Sequence, residues 1–580
     1  MRRSVKWSIA VAAIVAIGAG FCRWPIASAR VGVELNRVMP PIGLHWRGPA
    51  RAYFALLPWP TLRVIGVDLF AADGHSVLTA PSARFPLSLA ALTRGRFAPT
   101  GATLESPTAL IDLDAAPALA EERVVAEDSG AGLSAWGRVR LLGGVMHVVS
   151  ASRHIDTLIE GLDGGLDWPQ ADSPLRASVA GSWRGERVAI RGRVDNLGQA
   201  LRRRAAKVAL TIESRPLALS VDGAWDGSGE PSFVGTLDAD IRSLAALKRL
   251  LDVEDAPFPL GDAFSMSGKA QVSGQTMTLS DATVTASGQK LEGALSIARS
   301  AERYAVSGSL AADQLDLLTL IKPPPELLSP TGEWSQTPFA FSPPADVDLD
   351  LRLSAARLQW GPHAIADAAG ALMCKLGSCV ATLLEANAYQ GALKGELTVA
   401  RGARGLTTVA KLSLVGADLG AICTEFGRSA FHGIGDVEAT LRSTGFAPSD
   451  SILSLAGEAS ATVRSGAIDG FSIEDAIRHS QRRPGDIARD FVDGVTHFSE
   501  ARLRLAIADG VATIGEGRVE GPGTAIDLGG MIDFAQRSWQ AQARATQADT
   551  EGAPSPDAAR LTIVLSGPWS APNVSAAPGD

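Results

Sequence analysis

RVAIRGRVDN (187–196), KVALTIES (207–214) and LALSVDGAWDG (217–227) decide the fold. In the last, Leu217, Leu219, Val221 and Ala224 alternate, imperfectly, with small or polar partners. A period of two belongs to an extended chain, whose successive side chains point to opposite faces of a sheet. The texture returns in FSMSGKAQVSG (264–274), MTLSDATVTASGQKLEGALSIAR (277–299), YAVSGSLAADQLDL (304–317), VDLDLRLSAARLQWG (347–361) and LKGELTVAR (393–401), with Gly, Asp, Asn or Ser at the turns. The unit is strand, short turn, strand, repeated for about twenty strands and without a fixed repeat length. Two short helical patterns interrupt it. SLAALKRLLDV (243–253) spaces Leu244, Leu247 and Leu251 along one helix face, and SIEDAIRHSQ (472–481) opens with Ser472 and Asp475 as a capping-box-like start. The fold class is mainly β with a few short helices.

Composition agrees. The chain has 580 residues, 60 of them Gly and 33 Pro, with 46% hydrophobic and 20% charged residues. That length excludes a single small module, and that hydrophobic content excludes disorder. A net charge of −8, with Arg202–Arg204 the longest basic run, argues against nucleic-acid binding, which needs clustered cations. KPPPELLSPTGEWSQTPFAFSPPAD (322–346) loses ladder donors to its prolines and reads as a linker or an edge-crossing loop. It separates a central β region (131–321, after an amino-terminal β region at 31–130) from a carboxy-terminal β region (347–580). TQADTEGAPSPDAA (546–559) reads as a loop, and the tail after Trp569 as frayed.

The amino terminus sets the compartment. Arg2, Arg3 and Lys6 precede SIAVAAIVAIGAGF (8–21), and 16 uncharged residues separate Lys6 from Arg23. A helix of that length covers about 24 Å against a hydrocarbon core of about 30 Å, a gap that snorkelling of Lys6 and Arg23 and interfacial Trp7 and Trp24 can close. Three readings compete. The expected one is an uncleaved signal anchor over 1–30, with the cations keeping the amino end cytoplasmic and the body exported. A cleaved signal peptide ending at Ala27–Ala29 has Arg23 and Pro25 against it. The third reading is a buried core helix.

Catalytic chemistry finds no support. The eight histidines show no metal-ligand spacing, and no nucleophile elbow or phosphate loop is present. No cofactor, metal or catalytic residue is expected. Asp238, Asp240, Asp348 and Asp350, at period two, read as a solvated strand face. Cys374 and Cys379 flank Lys-Leu-Gly-Ser, a hairpin-like turn, where a disulfide and two free thiols are equally compatible with the sequence. Trp46, Trp59, Trp136, Trp183, Trp225 and Trp360 fall near strand ends, as core-edge packing or as a rim at a lipid surface. Alternating faces allow an open apolar face that binds a ligand, or a closed sandwich that buries it.

Several stretches resemble the AsmA family. Towards the amino end these are YFALLPWPTLRVIGVDLF (53–70) and APSARFPLSLAALTRGRFAPTGATLESPTALIDLD (80–114), and in the middle residues 235–274. At the other end, LAGEASATVRSGAIDGFSIEDAIR (455–478), residues 494–544 and LTIVLSGPWSAPNVS (561–575) follow the family's order. The motif positions are Gly457, Gly466, Ile468, Gly470, Phe471, Thr496, Phe498, Gly529, Gly530, Ile532, Asp533, Gly567, Pro568 and Pro572. Here the strand-end turn is Gly-Gly-x-Ile-Asp, a small departure. The resemblance implies a periplasmic protein anchored once in the inner membrane of a Gram-negative bacterium, related to bridge-like lipid transfer proteins. Its fold is expected to be an elongated, curved, mostly antiparallel β-sheet forming an apolar groove. The implied role is phospholipid traffic between inner and outer membrane and outer-membrane assembly. The implied partners are the membrane, a phospholipid or other acyl-chain lipid, and outer-membrane assembly factors. A scaffold that helps outer-membrane proteins assemble or insert is the alternative.

Overall fold

Period-two alternation becomes strand along nearly all of the chain. The computed structural model describes residues 20–29, 31, 44–71, 76–95, 98–112, 137–150, 155–170, 173–201, 203–251, 262–300, 303–320, 325–330, 332–341, 343–344, 347–425, 431–470, 472–482, 494–547 and 560–578. They fall into two compact units, residues 1–255 with 262–282, and residues 283–580 with 256–261. The fold is mainly β, with more strands than the alternation alone picks out, because the short amino-terminal strands and the Gly- and Ala-rich ones do not alternate cleanly.

Unit 1 begins with β1 (Trp24–Ile26), β2 (Leu44–Arg47), β3 (Arg51–Ala55), β4 (Thr61–Ala71) and β5 (Ser76–Pro86), then helix α1 (Leu89–Leu92), β6 (Gly101–Glu105) and β7 (Thr108–Asp112). Here the side chains close into a core of Trp46, Leu62, Val64, Val67, Phe85 and Leu104, with Trp46 and Phe85 in a tilted ring contact at 6.0 Å. Fully burying each aliphatic residue contributes about 1.5–3 kcal/mol. Glu105 joins Ser82, Arg63 and Arg84 beside this core, and its carboxyl is held below the usual range, first by the Ser82 hydroxyl and then by the two guanidiniums. The sheet continues as β8 (Gly137–Ser150), β9 (Ile155–Trp168), β10 (Leu175–Trp183), β11 (Glu186–Val194), helix α2 (Leu197–Leu201), β12 (Ala206–Glu213), β13 (Leu217–Asp226), β14 (Ser232–Ile241), helix α3 (Leu244–Leu251) and β15 (Phe264–Ser273). β6 and β7 pair parallel with β8; from β8 to β15 successive strands pair antiparallel. Strand β16 (Thr276–Ala286) spans the unit boundary.

Unit 2 holds β17 (Gln289–Ser300), β18 (Arg303–Asp316), helix α4 (Leu317–Leu320), β19 (Val347–Trp360), β20 (His363–Lys375), β21 (Ser378–Ala388), β22 (Gly391–Gly402), β23 (Gly405–Asp418), helix α5 (Leu419–Glu425) and β24 (Phe431–Gly445). There follow helix α6 (Pro448–Leu453), β25 (Ala456–Asp469), helix α7 (Ile473–Arg482), β26 (Val495–Ala508), β27 (Val511–Gly521), β28 (Thr524–Asp533), β29 (Ser538–Gln547), β30 (Arg560–Pro568) and β31 (Asn573–Pro578). β18 and β19 run parallel, and the later strands form an antiparallel meander. The proline-rich stretch connects that parallel pair. It separates no units but lies along one end of unit 2's strands: Pro344 O accepts from Gly377 N–H (3.1 Å), Phe339 N–H donates to Phe446 O (2.9 Å), and Ser335 O accepts from Ser449 N–H (3.0 Å).

Three expectations change. The tail after Trp569 is not frayed: Asn573–Pro578 pairs with β30 as β31, with Leu565 opposite Val574. Residues 20–29, placed in the anchor by the sequence reading, carry β1: Gly20 O accepts from Leu56 and Leu57 N–H, and Trp24 pairs opposite Phe54. Helix 243–253 shortens to Leu244–Leu251, its last two positions lying outside the described residues. Lys6 and Trp7 lie outside them too, and Arg23 is exposed. Among the described residues no helix is long and apolar enough to cross a membrane.

Candidate functional site

Pairing register fixes which side chains share a face, since directly opposed residues project together. From β10 to β15 one face carries the rows Leu175–Val194–Val208–Gly223–Gly235–Ala270 and Ala177–Gly192–Leu210–Val221–Leu237–Gly268. The next row is Val179–Ile190–Ile212–Leu219–Ala239–Met266. The only charge on it is Glu186, opposite Trp183 at a hairpin end and engaged by Arg215. The other face carries Arg176, Ser178, Arg191, Arg193, Lys207, Thr211, Glu213, Ser220, Asp222, Thr236, Asp238, Asp240, Lys269 and Gln271. It is laced by ion pairs such as Arg191–Glu213 (2.9 Å) and Arg242–Asp240 (3.0 Å).

Among the described residues, part of the apolar face of β10–β15 stays open, although Ala239 and Ala270 on it are buried. Ile190 and Leu210 stay 40% and 38% exposed, and Leu175, Val194, Val208, Val221 and Phe233 are half-buried around a concavity of about 350 Å³. A Leu or Ile left partly in water forgoes about 1 kcal/mol relative to full burial. A contiguous surface of this kind marks a site that something else covers.

Unit 2 repeats the segregation. Its apolar rows include Leu351–Leu372–Ala381–Leu397–Ala410–Leu441–Gly457–Ile507 and Leu353–Gly370–Leu383–Gly395–Leu412–Ala439–Ala459–Leu505. Here helices lie on that face. Leu419 and Ile422 of α5 pack with Leu414, Val463 and Phe498. Ile473, Ala476 and Ile477 of α7 cover Ile526, Ala545 and Leu561, all but Ile526 (9% exposed) buried nearly completely. α7 is set by its start: Ser472 Oγ accepts from Asp475 N–H (3.3 Å), and Thr496 Oγ1 accepts from the buried Ile473 N–H (3.1 Å). α5 is tied at its end, where Tyr389 O–H donates to Glu425 (2.5 Å) and His363 Nδ1 pairs with the same carboxyl. Burial, then Glu425, push Tyr389 up to about 12; the Tyr389 hydroxyl, then His363, hold Glu425 low.

The family-motif positions prove to be packing and turn residues. Phe498 stacks on Phe431 at 5.9 Å and fills the space over Gly466, where a Cβ would come within 2.2 Å of its ring. Thr496 holds α7, and Gly470 N–H donates to Gly494 O (2.8 Å) just before it. Gly457, Gly529 and Gly530 lie in the ladders, Asp533 accepts from Gln536 N–H (2.7 Å), and Gly567, Pro568 and Pro572 form the β30–β31 turn region. Phe471 lies outside the described residues. Cys374 and Cys379 are opposed across the β20–β21 hairpin and joined by a disulfide on the apolar face; positive φ at Leu376 and Gly377 gives the turn that brings them together. Of the tryptophans, Trp46 is core, Trp183 donates to Thr157 (2.6 Å), Trp59 is 69% exposed, and Trp136 lies outside the described residues. Among the described residues no group of His, Cys, Asp or Glu is arranged to hold a metal.

Comparison with curated proteins and with solved structures gave no match. Residues 330–516 match the AsmA family model, from the proline-rich strap through β19–β26 into β27. The resemblances at 53–114 and beyond 516 lie outside that stretch. With its strands, α5 and α7 all in unit 2, the match supports assigning the chain to the AsmA family.

Proposed function

We propose that this chain is a non-enzymatic envelope protein, anchored once in the inner membrane with its bulk in the periplasm. It holds or passes phospholipid acyl chains along an apolar β-groove towards the outer membrane, supporting that membrane's assembly. The observation that carries the reading is the partly exposed apolar face of β10–β15 backed by a largely polar one. Acyl chains suit it because no polar group on those rows asks for a hydrogen-bond partner, and burying apolar area is favourable without directional contacts.

The test uses the full chain in a neutral detergent, examined by native mass spectrometry and lipid extraction. Co-purifying phospholipid is expected, and Leu210→Asp with Val221→Asp should at least halve it. A lipid-free protein whose double variant behaves like the parent sinks the reading. The scaffold alternative draws on β31, which among the described residues pairs with β30 alone and is largely exposed. Such an edge can add a strand from a client. Loss of outer-membrane porins ahead of any change in phospholipid distribution, on deleting the gene, favours that second reading.

A further inference from the structure

We infer that the β28–β29 turn of unit 2 is a headgroup site for an anionic, phosphate-bearing amphiphile, built from Arg537 and Trp569 and roofed by the proline-rich strap. The inference rests on the acyl-chain reading above and names what the head of the ligand meets.

The sequence places Arg537 in the turn after Asp533, and Trp569 directly after β30. Trp569 N–H donates to Arg537 O (2.8 Å), which fixes the two together. The Trp569 ring lies edge-on to Phe534 (5.9 Å) and tilted on Trp539 (6.1 Å), with the Arg537 guanidinium 5.9 Å from its centroid. Among the described residues two donors here have no acceptor: Arg537 Nε and Trp569 Nε1 are both buried and unpaired. A buried unmet donor costs about 1–3 kcal/mol, and more when it carries charge, so two together in one place mark a ligand position rather than packing. No carboxylate pairs with Arg537 among the described residues; the nearby Asp533 carboxylate serves the Gln536 N–H. Among the described residues, the guanidinium meets the Trp569 ring and, through Nη1, the Gly332 main-chain oxygen of the strap, neither of which carries a full negative charge.

The strap at this point is a small closed turn. Gly332 N–H donates to Ser329 O (2.8 Å), Ser329 N–H to Glu333 O (2.7 Å), and Trp334 Nε1–H to Phe534 O (2.8 Å). Gly332 sits at φ 84°, a left-handed conformation that a side chain strains. A phosphate offers several oxygens in the fork geometry of a guanidinium. It replaces the Gly332 carbonyl on Arg537 and meets both idle donors, which lifts the strap. Beside the site the apolar face begins with Trp539, opposite Gly567 and Ile532, and continues to Ala541 and Leu565. These residues are half-buried, and α7 covers other positions of the face, so a head at Arg537 leaves its chains on apolar rows.

The experiment titrates the full chain, stripped of lipid in a neutral detergent, with dioctanoylphosphatidylglycerol, dioctanoylglycerol and inorganic phosphate. Binding is read by native mass spectrometry and strap opening by hydrogen exchange over residues 327–339. Arg537→Gln should weaken phosphatidylglycerol at least tenfold and leave dioctanoylglycerol unchanged. Gly332→Ala, which strains the φ 84° turn while its Cβ stands in ordinary contact 3.6 Å from Arg537 Nη1, should loosen the strap and tighten phosphatidylglycerol severalfold. Phosphatidylglycerol should raise exchange in the strap of the parent protein. Equal weakening of both lipids by Arg537→Gln, or none, overturns the site while leaving the acyl-chain reading intact. Inorganic phosphate binding as tightly as phosphatidylglycerol overturns the amphiphile in favour of a free anion. If neither lipid binds, the acyl-chain reading falls and this one with it.

Discussion

The two units make apolar faces by the same rule and finish them differently. In unit 1 the rows through Leu210 and Val221 stay half in water, and so do Leu397 and Leu412 in unit 2 (each 43% exposed), whereas towards unit 2's carboxy-terminal strands α7 seats Ile473, Ala476 and Ile477 on Ala545 and Leu561. The alternation is equally clean in both, so the pattern of strands does not decide whether a face is open. The cover comes from short segments inserted between strands, after β23 and β25 in unit 2. Unit 1 packs tightly over β1–β6, and among the described residues of β10–β15 it leaves Ile190 and Leu210 partly in water while Ala239 and Ala270 are buried.

The largest effect should come from truncating each face. Leu561 is fully buried under α7, so Leu561→Ala should cost about 3 kcal/mol through lost transfer and a cavity. Leu210→Ala, at a side chain already 38% exposed, should cost under about 1 kcal/mol. Denaturant unfolding of the two variants measures this directly, and equal costs break the contrast between a covered and an open face.

Next is the disulfide, which staples a part of unit 2's apolar face. It closes a short loop, with a sequence separation of 5, so the combined variant Cys374→Ser and Cys379→Ser should lose about 2 kcal/mol, the low end for such links. Unfolding with and without a reductant checks it. A reductant that shifts the midpoint of the double-serine variant as much as the parent's assigns the effect elsewhere.

A smaller effect sharpens the role of α7 as a cover. Ser472→Ala removes the side-chain acceptor for Asp475 N–H and should cost about 1 kcal/mol of helix stability. Hydrogen exchange should rise over 473–482 and stay constant over β10–β15. Unchanged exchange in α7 shows that Thr496 and the apolar contacts alone hold it.

How much of this the sequence foretold depends on range. β10–β15 were legible because period two is a local property, and α7 because its cap and spacing are local too. The parallel β18–β19 pair was not, since a crossover through a proline-rich stretch is fixed by where Trp334 and Gly332 find partners in the β28–β29 turn, about 200 positions later. The docking of α7 on the sheet was hidden for the same reason. For Cys374 and Cys379 the sequence does not decide between a bond and two thiols, because a hairpin brings them equally close either way. Arg537 and Trp569 gave no signal, as an arginine in a turn is ordinarily solvated.

The smallest expected effect concerns the other helix on unit 2's face. Glu425, at the end of α5, is held below the usual carboxylate range by the Tyr389 hydroxyl and then by His363, so its contribution is present above the unfolded value near 4.5 and is lost as pH falls through the lower folded one. Tyr389 behaves oppositely. Raised from 10.0 to about 12 by burial and by Glu425, it contributes fully below 10 and loses that contribution as pH rises through 12. α5 should therefore be held best between these limits and loosen at both ends, with hydrogen exchange over 419–425 rising there before the rest of unit 2 responds. Tyr389→Phe should abolish the alkaline rise and weaken the acid one, because the hydroxyl that lowers Glu425 is gone while His363 remains. If Tyr389→Phe keeps the full alkaline rise, another group holds α5, and the comparison between a bare face and a fastened one must rest on apolar packing alone.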